Sequence, residues 1–434
     1  MTLHLPAAAL AGCTAVLLLQ PVTAAAEPAP RPRTPAGGGS VTSLPLTAIS
    51  TGATGRAGPA GRGLAARATR PFELLGVGWD GPAAALADGS VRVRVRSAAT
   101  GAWSGWHDLD TDGADGPDGP DSAEGPDGPD GPPHGATAPL WTGPSDGVAV
   151  EVVPGPAGPP PGLRVELVDP GQGADAATAQ VLPGSPADGH QAPRPTVVTR
   201  AGWGADESLR EEGFVYTGPV RAVFVHHTAT ATEYDCADAP RVIRALYQYH
   251  VQSNGWRDIG YNFLVDRCGT VYEGRAGGVG LPVRGAHTLG FNTDSAGVAA
   301  IGTFTTDVPP EPLLDGIART AAWKLGLTGQ DAAGRVQLVS ASSASRYPKG
   351  SKADFDAVSG HRDGFNTECP GSVLYERLPG IRAAAARLQH ADGAPAPDPV
   401  PAPDSGPAPA PDSAPAPAPA PAPDAAPAPA PAAG

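Results

Sequence analysis

Proline and glycine set the strongest limit on how this chain folds, because both residue types interrupt helices and strands. The 434 residues include 58 Gly and 53 Pro. Residues 389–434 alternate Ala and Pro with occasional Asp, which predicts an extended, disordered tail. Residues 27–70 and 171–195 are predicted to be linkers for the same reason. The longest stretch of ordinary globular sequence therefore lies at residues 196–388.

The N-terminus has the pattern of an export signal. Residues 7–19 are apolar, and small residues up to Ala26 precede a Pro-rich polar segment. The apolar run is short for a membrane span. We expect residues 1–26 to be removed, leaving a secreted protein without a transmembrane segment that also associates with the cell wall. Residues 10–13, Leu-Ala-Gly-Cys, leave a lipoprotein cleavage box open as an alternative.

Residues 71–170 show short, recurring strand patterns. Val and Arg alternate over residues 91–96, and this period of two predicts a sheet with one buried face. Gly, Pro and Asp recur over residues 111–134, which predicts a solvated acidic loop. We therefore expect a small all-β module. Its core is expected to contain four tryptophans, with an exposed platform for glycan as the alternative: Trp79, Trp103, Trp106 and Trp141.

The charge of the chain argues against a nucleic-acid partner. Only 17% of the residues are charged, and the net charge is −14. Proteins that bind duplex nucleic acid usually carry a basic patch that neutralises phosphates. An anionic polymer would have to be recognised by local groups instead.

Residues 196–388 predict an α/β domain, because strand and helix patterns alternate along the chain. An apolar strand at residues 221–225 ends in His226 and His227, a position typical of a site at the edge of a sheet. A helix is predicted over residues 237–253, followed by two strands at residues 261–265 and 270–273. The expected fold is a mixed central sheet flanked by helices.

The cysteines divide into a structural pair and one remaining thiol. Once the signal is removed with Cys13, the mature chain has Cys236, Cys268 and Cys369. Cys236 precedes the predicted helix and Cys268 lies at the turn between the two strands, so we expect them to form a disulfide. Such a bridge is worth about 3 to 4 kcal/mol of stability.

Cys369 has features of a metal ligand. Pro370 suits the first turn of a helix, so Cys369 is expected to cap that helix, where the helix dipole favours a thiolate. Together with His226 and His361 it makes a set of two imidazoles and one sulfur. Zinc binds such a set while keeping a fourth position for water, which it activates for attack on an amide. A cysteine hydrolase, with Cys369 as nucleophile and His361 as base, is an alternative.

Residues 198–388 resemble the peptidoglycan recognition protein family, also called type 2 N-acetylmuramoyl-L-alanine amidases. The motifs that carry the resemblance are RAGWGA at 200–205, VHHT at 225–228, GWRDIGYNF at 255–263, YEGR at 272–275, GAHT at 285–288, GHRD at 360–363 and CPG at 369–371. The resemblance implies hydrolysis of the lactyl-amide bond between N-acetylmuramic acid and L-alanine of peptidoglycan, by a protein that we expect to be a monomer. A non-catalytic peptidoglycan receptor is the alternative.

The resemblance also implies roles for individual residues. It places one zinc ion on His226, His361 and Cys369, and a catalytic tyrosine at Tyr261. Thr367 stands where phage relatives carry a catalytic lysine. A substrate groove is implied at His227, Trp256, Arg275, His287 and Asn292. After Arg275 this chain has Ala-Gly-Gly instead of the Gly-Trp of diaminopimelate-binding members, so the specificity for the stem peptide does not carry over.

Overall fold

The computed structural model describes residues 39–49, 61–81, 86–87, 89–111, 134–153, 155, 158–172, 181–182 and 192–390. The predicted signal peptide and the predicted Ala-Pro tail, apart from residues 389 and 390, lie outside these residues. Among the described residues, no helix combines the length and apolarity needed to cross a membrane.

The first part of the chain forms an antiparallel sheet of eight strands. Six of them follow the order β1-β8-β3-β7-β4-β5, and β2 and β6 also pair with β3. The strands are β1 (Ser40–Pro45), β2 (Thr47–Ile49), β3 (Gly61–Asp80), β4 (Val91–Ser97), β5 (His107–Asp108), β6 (His134–Ala136), β7 (Leu140–Val152) and β8 (Arg164–Asp169). One apolar core of this module contains Phe72, Leu75, Val93 and Val150. The predicted all-β module is thus confirmed, and we call it the β module.

The prediction of a linker over residues 27–70 is wrong for much of that range. β1 and β2 lie within it, and β3 begins at Gly61. β1 pairs with β8 along its whole length, from Ser40 opposite Asp169 to Pro45 opposite Arg164. The local sequence did not indicate β1 because β8, the strand that stabilises it, is more than a hundred residues away. The linker predicted over residues 171–195 likewise contains a strand, β9 (Val181–Leu182).

Two of the four tryptophans that were predicted to lie in the core of the β module lie outside it. Trp79 and Trp141 are buried, whereas Trp103 and Trp106 are 36% and 38% exposed. The exposed pair lies on the arginine face of β4, where the guanidinium of Arg94 is 5.2 Å and 5.1 Å from the two ring centroids. Arginine side chains of β4 cover these two rings, so the rings are partly shielded from water without lying in the apolar core. The predicted acidic loop falls almost entirely outside the described residues.

The second part of the chain has the predicted mixed α/β fold. Its sheet of seven strands has the order β17-β11-β14-β12-β13-β10-β9, in which β17, β11, β14 and β12 run parallel. These strands are β10 (Val197–Val198), β11 (Ala222–His227), β12 (Phe263–Val265), β13 (Val271–Glu273), β14 (Ser295–Ala300) and β17 (Val358–Gly360), while β15 (Arg335–Val339) and β16 (Lys352–Asp356) form a separate pair. We call this part the α/β domain.

Helices pack around the mixed sheet. They are α1 (Arg200–Trp203), α2 (Ala239–Gln248), α3 (Glu311–Gly326), α4 (His361–Gly364) and α5 (Ser372–Gln389). One core joins strand residues such as Phe224 and Val298 to α3 and α5, and a second core joins Leu264 and Ala299 to α2. The helix predicted over residues 237–253 is present as a 3-10 turn at Cys236–Asp238, α2 and a π turn at Tyr249–Ser253.

The predicted disulfide between Cys236 and Cys268 is present. It ties the start of the helical segment to the turn between β12 and β13. Among the described cysteines this leaves Cys369, which is buried and has no disulfide partner.

Candidate metal centre

Parallel strand pairing brings two distant histidines together. β11 and β17 are adjacent and parallel, with Val225 opposite Gly360. His226 follows Val225 on β11, and His361 follows Gly360 as the first residue of α4. Because parallel strands end at the same edge of a sheet, both imidazoles lie at that edge, with ring centroids 4.4 Å apart. The strand-end position predicted for His226 is therefore what allows it to meet His361.

Cys369 completes the cluster from the loop after α4. Its Sγ lies 3.8 Å from Nδ1 of His226 and accepts a hydrogen bond of 3.4 Å from the backbone N–H of His227. An N–H directed at sulfur favours the thiolate form.

The predicted helix-capping role of Cys369 is wrong. Pro370 follows it through a cis peptide bond, and α5 begins only at Ser372, with Gly371 as its N-cap residue. The N–H of Gly371 donates to the carbonyl of Glu368 at 2.7 Å, so a tight turn separates Cys369 from the helix. The sulfur is therefore placed by this turn and by β11 instead of by a helix end.

The three side chains fit a divalent metal. One ligand atom from each of His226, His361 and Cys369 lies within 4.8 Å of the other two, and all three residues are buried. Burial lowers the pKa of His226 to about 3, so its imidazole is neutral at neutral pH, as ligation requires. Two imidazoles and one sulfur match the preference of zinc, and three protein ligands leave room for a fourth.

His287 fixes the orientation of His226. Nδ1 of His287 lies 3.2 Å from Nε2 of His226 and 3.0 Å from Oγ1 of Thr288. If Nδ1 of His226 faces the metal position beside Cys369, its Nε2 must carry the proton and donate it to His287. Burial holds the pKa of His287 well below its usual value, which keeps that acceptor neutral. Such outer contacts orient metal ligands and set their tautomer.

Asp363 holds α4 in place, a role that the sequence did not reveal. Its Oδ2 accepts the backbone N–H of Gly360 at 2.8 Å, and its Oδ1 accepts the hydroxyl of Tyr375 at 2.7 Å. The carboxylate thus fixes the first turn that carries His361. The GHRD motif contained this residue, and an acid three residues after the N-cap was the available signal.

Tyr261 lies beside the cluster as the resemblance implied. It is 2% exposed, and its ring centroid is 5.3 Å from that of His226. Its backbone carbonyl accepts the N–H of Arg275 at 2.8 Å, which anchors the residue at the start of β12. Thr367 is two residues from Cys369, and its Oγ1 accepts the N–H of Cys369 at 3.1 Å. In the structure Thr367 therefore helps to shape the turn that carries the sulfur.

Besides His287, three more of the five predicted groove residues have polar groups engaged within the domain. Arg275 donates to the carbonyls of Ile259, Arg284 and Asp258. Oδ1 of Asn292 accepts the backbone N–H groups of His287 and Thr288 at 2.7 and 2.9 Å, and Nδ1 of His227 accepts the N–H of Phe304 at 3.3 Å. These contacts shape the loops around the site, and direct substrate contacts by these residues stay predictions.

Trp256 packs on His250, a buried histidine of the π turn. The ring of His250 lies 4.3 Å from that of Trp256 and 5.8 Å from that of Tyr261. Nδ1 of His250 accepts the N–H of Gly260 at 3.2 Å, and burial lowers its pKa to about 3. The link between His250 and the segment that carries Tyr261 was missed, because helical spacing alone does not show which residues lie opposite a side chain.

Comparison with known proteins matches the two parts of the chain separately. Residues 216–372 match the family model described as N-acetylmuramoyl-L-alanine amidase, and residues 25–184 match one described as Rv3811 N-terminal galactose-binding domain-like. Peptidoglycan-recognition protein SC2 of Drosophila simulans is 33% identical over 186 residues, which cover 42% of this chain and 84% of that protein. The chain belongs to the peptidoglycan recognition protein and type 2 amidase family.

Other relatives are covered less completely. Peptidoglycan-recognition protein LE of Drosophila melanogaster is 39% identical over 119 residues, which are 27% of this chain and 33% of that protein. The human N-acetylmuramoyl-L-alanine amidase is 33% identical over 190 residues, or 42% of this chain and 28% of that protein. The chain thus spans a third or less of these two relatives. The solved structure of Drosophila PGRP-LB is 29% identical, with a TM-score of 0.33 and coverage of 42% of this chain and 90% of that one.

Proposed function

We propose that this protein is a secreted, zinc-dependent N-acetylmuramoyl-L-alanine amidase that cleaves peptidoglycan between N-acetylmuramic acid and L-alanine. The observation that carries the proposal is the convergence of His226, His361 and Cys369 at one edge of the mixed sheet. Family membership supports amidase chemistry, and the disulfide supports an oxidising compartment outside the cell.

The proposal assigns a role to each residue of the cluster and its neighbours. His226, His361 and Cys369 would hold one zinc ion, which, when bound, polarises the amide carbonyl and activates water. His287 keeps His226 in the tautomer that presents Nδ1 beside the sulfur. Tyr261, next to His226, is in a position for its hydroxyl to orient water or donate to the oxygen that becomes negative during attack. The burial of all three ligands excludes bulk water, which strengthens these electrostatic effects.

The test is cleavage of a defined muramoyl-peptide by the purified full chain, with bound zinc measured in the same sample. We expect release of the peptide with a new N-terminal alanine amine, loss of cleavage with a chelator and recovery when zinc is restored. Activity that survives complete removal of metal would instead support a cysteine hydrolase. Binding of the muramoyl-peptide without cleavage, at full zinc occupancy, would identify a receptor.

A further inference from the structure

The β module contacts the α/β domain through the helical segment that leads to the site. Leu74, Trp141 and Val168 of the β module share one apolar core with Ile243 of α2 and Tyr249 of the π turn. Polar contacts border this core. Arg241 of α2 pairs with Glu73, and the hydroxyl of Tyr249 donates to the carbonyl of Thr137 at 3.0 Å.

The two parts pack closely where β3 crosses Tyr249. Gly76 of β3 has no room for a side chain, since a Cβ there would lie 2.2 Å from the Tyr249 hydroxyl oxygen and 2.4 Å from Cζ of the ring. Gly78, two residues along the same strand, has space, because its nearest neighbour would be Nη2 of Arg164 at 3.6 Å. Neither glycine has a positive φ, so space alone separates the two positions. Gly76 therefore marks a site of tight complementarity between the two parts.

The opposite side of the same turn supports the site. His250 follows Tyr249 directly, and its Nδ1 accepts the N–H of Gly260 at 3.2 Å. Gly260 precedes Tyr261, whose ring packs near His226. Tyr261 also belongs to the apolar core that contains Leu74 and Trp141 of the β module. Two short paths of contact thus connect the β module to Tyr261.

The π geometry fixes the turn that joins these two sides. The N–H of Asn254 donates to the carbonyl of Tyr249, five residues earlier, at 3.0 Å. Single π turns within helices often accompany functional sites because they redirect side chains that a regular helix would place elsewhere. Here Tyr249 points to the β module while His250 contacts the segment of Tyr261.

We propose that the β module positions the catalytic tyrosine of the α/β domain, with Tyr249 as the positioning residue that transmits the contact. This inference rests on the proposed amidase function for the meaning of Tyr261. It assigns to the β module a supporting role in cleavage itself, in addition to any binding of the cell wall. A displaced Tyr249 would move His250 and Gly260, and catalytic geometry is sensitive to shifts of about 1 Å.

The experiment compares Gly76→Ala with Gly78→Ala in the full chain, using a small soluble muramoyl-peptide that needs no wall anchoring. Gly76→Ala is expected to lower kcat on the order of 100-fold, with KM and bound zinc little changed. Gly78→Ala, the matched control, is expected to match the wild type. Hydrogen exchange at the Gly260 amide should be faster in Gly76→Ala only, which gives a readout independent of activity.

A second variant separates displacement from simple loss of folding. Tyr249→Leu removes the ring atoms that an alanine at position 76 would meet, so Gly76→Ala combined with Tyr249→Leu should recover part of kcat relative to Gly76→Ala. If Gly76→Ala does not fold, Tyr249→Phe, which deletes only the bond to Thr137, should still accelerate Gly260 exchange. A folded Gly76→Ala with wild-type kcat and wild-type Gly260 exchange would overturn the inference. Absence of cleavage by the zinc-loaded wild type would refute the proposed amidase instead, and Gly260 exchange alone would then decide the positioning role.

Discussion

Strand β4 of the antiparallel sheet and strand β11 of the mixed sheet place their charged or polar side chains in opposite environments. In the antiparallel β module, β4 directs its arginines to solvent, where Arg92 pairs with Glu151 and Arg96 with Asp146. In the mixed sheet, β11 buries both of its histidines at the strand end. An isolated polar group loses hydration when buried, so it must be satisfied by neighbours or by a ligand. The arginines of β4 form ion pairs at the surface, whereas His226 of β11 belongs to the candidate metal centre.

Strand direction explains the difference. β4 and β7 are antiparallel, so Arg92 meets Glu151 across a neighbouring strand on one solvated face. β11 and β17 are parallel and paired as far as Val225 and Gly360, so the next residues, His226 and His361, come together although they are 135 positions apart in sequence. The ends of adjacent parallel strands therefore bring together functional side chains from distant parts of a chain. The predictions below test this contrast, in order of decreasing effect.

Cys369→Ser should have the largest effect. Serine keeps the size of the side chain but is a poor ligand for zinc, so bound zinc should fall and cleavage should drop by about a thousandfold or more. The free energy of unfolding of the metal-free protein should change little. Metal analysis and a peptide-release assay on the same sample measure this, and full zinc occupancy with full activity would contradict the assignment.

Tyr261→Phe should have the next largest effect. The phenol oxygen is lost while the ring that packs against His226 is kept, so kcat should fall by about a hundredfold to a thousandfold, as for other oxyanion donors. Bound zinc should stay at the wild-type level. Loss of zinc together with activity would mean that Tyr261 supports the metal centre instead of the reacting group.

His287→Gln should weaken zinc binding by about tenfold to a hundredfold, because glutamine does not hold its amide oxygen at the position of Nδ1, the acceptor that fixes the tautomer of His226. Zinc affinity measured by competition with a chelating dye is the readout. His227→Gln is the matched control, because that buried imidazole contacts the N–H of Phe304. Equal zinc affinities for the two variants would remove the proposed role of His287.

Arg92→Ala should have the smallest effect. Its partner Glu151 and the ring of Trp106 lie on the solvated face, so the free energy of unfolding should fall by about 1 kcal/mol or less. Cleavage of a soluble substrate should not change. Urea denaturation measures the free energy of unfolding. A decrease of several kcal/mol would show that the exposed face of the β module contributes strongly to stability, which would contradict the contrast between the two sheets.

Local sequence patterns were sufficient for much of the α/β domain. The strand that carries His226, the helical segment predicted over residues 237–253 and the disulfide between Cys236 and Cys268 all appear as expected. Each depends on periodicity or on short-range geometry. The metal set was predictable only because sequence motifs accompany His361 and Cys369, since nothing in their spacing shows that they meet.

Most of the mistaken predictions have a cause outside the local sequence. β1 was hidden in a presumed linker because its stability comes from pairing with β8. Trp103 was expected in the core because its partner, Arg94, is recognised only once the solvent face of β4 is known. The capping role of Cys369 failed because the turn before α5 depends on backbone geometry that the Cys-Pro pair does not specify.

By itself the sequence determined several elements of the α/β domain and which side chains suit zinc, since propensity, periodicity and ligand chemistry are local properties. Only the tertiary structure decided that His226, His361 and Cys369 lie at one edge of the sheet. It also decided that His287 contacts His226 and that β3 packs closely against Tyr249. Those relations depend on which strands become neighbours and in which direction they run. Neighbouring strands are selected by burial and hydrogen bonding summed over the whole domain, which no single stretch of residues encodes.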